Sequence, residues 1–137
     1  MTRPLLLDAS ALMAFIRREP GGEVVLTTLT AGQRPCLVGV SQLVEVEGKL
    51  VSDGSFTPEQ VRARLHQLSQ LLEVQALQSD AQAASAFYYA RRKPYDLSLG
   101  DALCLGLAEA LGADVLTAER GWANIPDLPF AVTLIRS

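Results

Sequence analysis

Residues 4–16 read Pro4-Leu5-Leu6-Leu7-Asp8-Ala9-Ser10-Ala11-Leu12-Met13-Ala14-Phe15-Ile16, and this stretch decides the fold class. Three consecutive leucines are too few for a helix core but enough for a strand buried on both faces, the kind found inside a parallel sheet. Asp8 stops the run. Beyond it, Leu12, Phe15 and Ile16 recur three and four residues apart along one helical face, so the chain turns from strand to helix at this acid. In an open parallel sheet that turn lies on the carboxyl edge, where ligands and metals bind. Asp8 is equally a preferred helix N-cap, whose side chain accepts free amide protons of the first turn. What would distinguish a ligand from a cap is the arrival of other carboxylates at the same edge.

The remaining chain alternates strands and helices. Glu19-Pro20-Gly21-Gly22 breaks the first helix, and Glu23 to Leu29 forms a short second one. Pro35 to Val40 is the second strand, with Ser41 expected to cap a helix carrying Leu43, Val44, Val46, Leu50 and Val51 and ending near Asp53-Gly54. Thr57-Pro58-Glu59-Gln60 is a helix start, because Thr caps, Pro fits the first position and Gln60 completes a capping box; this helix is expected to reach about Leu71. Leu72 to Leu77 is the third strand. Ser79 with Gln82 repeats the capping-box pattern and opens a helix stopped by Pro94, and Ser98 opens another whose Leu99, Leu103, Leu107 and Leu111 are expected on one face. Ala113 to Thr117 is the fourth strand, followed by a helical turn around Glu119 to Trp122, and Phe130 to Ile135 is the last. The expected architecture is a single domain over residues 1–137, a three-layer α/β sandwich around a mostly parallel sheet of four to five strands.

Composition bounds the function. A hydrophobic share of 49% with 20% charged residues suits a substantial core, and a net charge of -3 excludes a uniformly basic nucleic-acid clamp. An anionic substrate therefore requires local basic residues or a bound cation. Cys36 and Cys104 stand in apolar surroundings with no metal-ligand spacing, as small buried thiols of a reducing compartment. There is no signal-peptide pattern and no stretch of about 18 apolar residues, so a cytoplasmic protein with no membrane partner is expected.

In a parallel sheet the start of each following helix faces the edge that holds Asp8. Glu45 lies one turn into the helix after strand two, Asp101 three residues after the cap Ser98, and Glu119 two residues after Thr117. Each has a structural explanation of its own, since Asp101 and Glu119 as first-turn acids suit the helix dipole and Glu45 fits a solvated helix face. Together they repel one another and raise their pKa values unless a divalent cation neutralises them. Oxygen donors without His or Cys suit Mg²⁺ or Mn²⁺ rather than zinc, and such an ion suggests phosphoryl chemistry without a side-chain nucleophile. Glu47 competes with Glu45 for this place, and because two residues on a helix point about 200° apart only one of them can face the site. Ser10 and Thr117 are placed to hydrogen-bond a carboxylate or a metal-bound water. Arg17, Arg18, Lys49, Arg91, Arg92, Lys93 and Arg120 are candidates for a basic rim, and Tyr88, Tyr89, Tyr95 and Trp122 for base stacking or packing. His66, the only histidine, reads as an exposed helical residue.

The L-L-L-D-A-S start, the segment S-Q-L-V-E-V-E-G-K-L around Glu45, and above all L-S-L-G-D-A-L-C-L-G-L-A-E-A-L-G-A-D-V-L-T-A-E-R-G-W resemble a PIN domain, and more narrowly the VapC-type toxin ribonucleases of bacterial toxin–antitoxin pairs. The resemblance implies an endoribonuclease dependent on Mg²⁺ or Mn²⁺ that hydrolyses RNA through metal-activated water. It names Asp8, Glu45, Asp101 and Glu119 as catalytic groups and metal ligands, and it implies a cognate antitoxin and a homodimer. The family usually places Asp where this chain has Glu119, and the extra methylene implies binding through water or at a shifted site. Other acid-edge folds fit less well: an aspartyl-phosphate phosphatase would want Asp at Ser10, a dinucleotide site a Gly-rich turn after strand one, and a receiver domain paired acids near it. The alternative of a different class is a PIN-like domain that has lost catalysis and serves as a binding or dimerisation scaffold.

Overall fold

The computed structural model describes residues 2–137. Its centre is the leucine run. Strand β1 (Leu5–Leu7) is hydrogen-bonded on both sides to parallel partners, β2 (Cys36–Gly39) and β4 (Asp114–Thr117). β3 (Glu73–Gln75) flanks β2, β5 (Val132–Leu134) flanks β4, and every pairing is parallel, giving the order β3-β2-β1-β4-β5. The order reverses around β1: the chain moves outward to β2 and β3, then crosses to the other side for β4. A ligand crevice opens at such a switch point.

Alternation along β1 builds two cores. Leu5 and Leu7 pack with α1 (Ala9–Arg17), α2 (Gly22–Ala31), α3 (Val40–Ser52) and α4 (Pro58–Gln67), while Leu6 packs with α5 (Ala81–Ala90) and α6 (Leu99–Leu111) on the opposite face. The expected three-layer α/β sandwich is therefore found, with a sheet of five strands that is wholly parallel. α5 and α6 run side by side in the same direction, Ser85 against Gly106 and Tyr88 bonded to Glu109. Their contact is so close that a Cβ on Gly106 would collide with Ser85. Cys36 and Cys104 are buried and free, and among the described residues no helix is long and apolar enough to cross a membrane.

Several local expectations are corrected. Ser41 does not cap α3: the helix starts at Val40 with Gly39 as its N-cap, because the chain passes directly from strand to helix where Gln42 and Leu107 leave no room for a side chain at Gly39. Ser79 and Gln82 form no capping box; Asp80 holds the cap position without a side-chain bond, and the Ser79 carbonyl accepts the Gln82 amide instead. α4 ends at Gln67, four residues early, in a tight turn where the Leu68 amide returns to the Leu65 carbonyl. The leucine series on α6 is not one buried stripe. Steps of four advance about 40° each around the helix, so Leu107 is buried while Leu99 is 57% exposed. Burial on α6 falls instead on Ala102 and on Cys104 through Ala108, between the sheet and α5.

Candidate active site

Asp8 takes the capping role its position suggested, within a network of side-chain donors. It is the N-cap of α1, accepting the Ala11 amide at 3.0 Å, and its carboxylate also receives Ser10 Oγ at 2.8 Å and Thr117 Oγ1 at 2.9 Å. The two hydroxyls are held in turn by backbone amides: Ala118 N–H donates to Ser10 Oγ and Glu119 N–H to Thr117 Oγ1, each at 2.9 Å. The ends of β1 and β4 are thus joined through one buried carboxylate. Only 4% of Asp8 is exposed, and burial raises its pKa to about 7 against the three donors that favour the charged form; the charge of Glu119 raises it further.

The other acids reach the same cleft, a cavity of about 270 Å³ lined by Asp8, Ser10, Glu45, Lys49, Asp101 and Glu119 among others. Asp101 closes a capping box at the start of α6: its Oδ2 accepts the Ser98 amide at 2.9 Å while its own amide bonds Ser98 Oγ at 3.1 Å. The cap uses Oδ2 of this carboxylate. Burial pushes the Asp101 pKa up, with a further rise from Glu45. Glu119 lies beyond β4 at the head of the 3-10 turn Arg120–Asn124, and its pKa is also raised, first by desolvation and then by Asp101. Glu45 approaches from α3, where its Oε2 accepts Lys49 Nζ at 2.8 Å. Its Oε1 rests against Gly100, where a Cβ would collide with it. Glu47 points away and forms a paired ion contact with Arg62 of α4, both bonds at 3.1 Å.

The basic rim is smaller than the sequence suggested. Arg17 and Lys49 line the cleft, and Arg136, just past β5, joins them. Arg136 was legible in principle, because a fifth parallel strand also ends at this edge. Arg91 and Arg92, just past α5, instead stack on its Phe87 and Tyr89, and Arg120 bonds the Ser137 carbonyl. Tyr88 and Trp122 are buried in the core rather than available to bases, and His66 is an exposed residue of α4. A larger cavity of about 570 Å³ lies beside α5, lined by Phe87, Tyr88, Arg91, Tyr95 and Glu109 among others; Tyr88 there is bonded to Glu109 and Arg91 stacks on Phe87, and none of the four acids reaches it.

The lining donors are carboxylate and hydroxyl oxygens, the set that suits a hard divalent ion. The Lys49 ammonium already rests on this set as a cation: its pKa is raised by its bond to Glu45 and by the charges of Glu45, Asp101 and Glu119. Among the described residues no three His, Cys, Asp or Glu side chains stand close enough to grip one ion directly. The donor chemistry fits a cation while Glu45 remains bound to Lys49.

Residues 5–128 match the sequence pattern of the PIN domain family. The chain belongs to that family. The PIN fold is shared with solved toxin–antitoxin proteins, among them VapBC2 from Rickettsia felis, which was solved bound to a DNA fragment from its promoter (16% identity, TM-score 0.76, 96% of this chain and 98% of that one). VapBC-1 from nontypeable Haemophilus influenzae aligns with TM-score 0.73 at 13% identity over 96% and 98% of the two chains. VapC20 from Mycobacterium tuberculosis, a toxin that cleaves the sarcin-ricin loop, aligns with TM-score 0.68 at 13% identity over 88% and 94%. At these identities the likeness is one of fold. No protein of curated function matches the chain by sequence.

Proposed function

We propose that this PIN domain is a metal-dependent endoribonuclease, the toxin of a toxin–antitoxin pair, hydrolysing RNA phosphodiester bonds. The observation that carries the reading is the gathering of Asp8, Glu45, Asp101 and Glu119, from four separate segments, into one cleft at the carboxyl edge of the sheet. Asp8, Asp101, Glu45 and Glu119 would hold the ion, Mg²⁺ or Mn²⁺ by the hardness of the donors. A divalent ion bound there supplies charge neutralisation at phosphate oxygens and a water of lowered pKa. The chain's own contribution is positional. Ser10, Thr117 and the Ala11 amide fix Asp8, and Ser98 fixes Asp101, so two of the four carboxylates are held in place by the fold.

Arg17, Lys49 and Arg136 give the acidic cleft a cationic margin for an RNA backbone. The antitoxin partner is supported by neighbours of the same fold that are VapBC proteins. A homodimer is supported by an exposed apolar surface: Val40 and Val44 on α3, and Leu77 and Leu99, which share one groove with Tyr89 and Leu103.

The test is cleavage of a mixed RNA pool by antitoxin-free protein with Mg²⁺, with Mn²⁺ and with EDTA, alongside an Asp8→Asn, Asp101→Asn double variant. Metal-dependent cutting absent from the variant is expected. Equal cutting by both proteins refutes the site, and no cutting by folded wild-type protein supports the scaffold reading.

A further inference from the structure

Lys49 lies one helical turn beyond Glu45 on α3, the spacing at which side chains meet. Its side chain is 59% exposed, yet its Nζ is drawn to Glu45 Oε2 at 2.8 Å and lines the cleft with Asp8, Asp101 and Glu119. The other two cations of the cleft are employed elsewhere: Arg17 is paired with Asp53, and Arg136 donates to the Pro20 carbonyl at 2.7 Å. Among the described residues, Lys49 is therefore the one cation bonded to a member of the acid cluster.

Glu45 is confined on both sides. Oε1 rests against Gly100, so closely that no Cβ fits there, and Oε2 is bonded to Lys49. A divalent cation and an ammonium sharing that carboxylate would repel each other at short range, in a cleft where screening is weaker than in bulk water. The two cations are thus alternatives at one group.

We propose that Lys49 is the built-in counter-ion of the acid cluster, holding Glu45 while the cluster is metal-free and releasing it when a divalent cation enters. The proposal rests on reading the cluster as a metal centre. Lys49 then has two opposed effects. It stabilises the metal-free fold by offsetting repulsion among the carboxylates, and it weakens metal binding by competing for Glu45 and by like charge.

The experiment is calorimetric titration of full-length protein with Mn²⁺ at low ionic strength, comparing wild type, Lys49→Gln, Lys49→Arg and the Asp8→Asn, Asp101→Asn double variant. Lys49→Gln is expected to bind Mn²⁺ roughly tenfold more tightly than wild type, as removal of one positive charge a few ångströms from the ion predicts. Lys49→Arg keeps the charge and is expected to stay within about twofold of wild type. Without metal and at low salt, Lys49→Gln should melt below wild type, and Mn²⁺ should close the gap. Unchanged or weaker Mn²⁺ binding by Lys49→Gln, with wild type binding and the double variant not, overturns the counter-ion proposal and leaves the metal centre standing. No Mn²⁺ binding by wild type or Lys49→Gln overturns both.

Discussion

Asp8→Asn removes a charge from the most buried acid of the cleft while keeping its shape, and the local bonding can adapt. In place of the carboxylate, the new amide oxygen accepts from Ala11 and Ser10, and the new NH₂ donates to Thr117 Oγ1. The Thr117 proton then turns to Ser10 Oγ, which lies 3.3 Å away. The wild-type carboxyl has a pKa raised from 3.8 to about 7 by burial, so between those values the folded chain binds a proton that the unfolded chain has lost. Stability of the metal-free protein therefore falls as pH rises through that window and levels off above it. A shift of this size is worth about 4 kcal/mol in full, of which roughly 2.5 kcal/mol is lost between pH 5 and pH 8. The variant lacks this term. Denaturant melts of both EDTA-treated proteins at pH 5, 6, 7 and 8 read it, because the difference between them cancels the titrating groups that do not interact with Asp8. The variant is expected to gain on wild type by roughly 2.5 kcal/mol across the series. RNA cleavage by the same variant should fall by orders of magnitude. A stability difference that stays flat from pH 5 to 8 would show that the three donors to Asp8 outweigh its burial, and would refute the reasoning.

Gly100→Ala places a methyl group against Glu45 Oε1 at a position where the backbone is ordinary helix, so stability should hold or rise by about 1 kcal/mol while the carboxylate is displaced. Cleavage should drop by about 10²-fold, the scale of an ångström's misplacement, measured as kcat/KM beside a thermal melt; unchanged kcat/KM would remove Glu45 from the mechanism. Thr117→Val keeps the shape of a fully buried side chain but deletes a donor to Asp8 and the acceptor of the Glu119 amide. It should cost about 1–3 kcal/mol in a denaturant melt, and a loss below about 0.5 kcal/mol would mean that the hydroxyl is replaceable by solvent.

Much of this was legible in the chain because it rests on short-range rules. Leu5 to Leu7 followed by Asp8 specifies a buried strand with an acid at its carboxyl end, and a parallel sheet then carries Glu45, Asp101 and Glu119 to the same edge. Two of the misreadings share one cause: they required knowing what packs against an element. Ser41 is as good a cap as Ser98 until Gln42 and Leu107 close on Gly39, and Leu99 is as apolar as Leu107 until α5 is seen to cover the other side of α6. Gly100 stood in the sequence without an assigned purpose, because its purpose is room for a side chain on another helix.

Capping and ligation looked like rival explanations of these acids, but the two are chemically compatible. A carboxylate has about four lone-pair directions, and a cap consumes one or two. In Asp101 the cap takes Oδ2 alone, so the bond that starts α6 also fixes a carboxylate that lines the cleft. In Asp8 the donors engage both oxygens, which makes it the stiffest of the four and the one whose charge is costliest without a cation. Glu45 and Glu119 cap no helix through their side chains. An added methylene at position 8 or 101 would therefore break a cap, whereas at position 119 there is no side-chain cap to break.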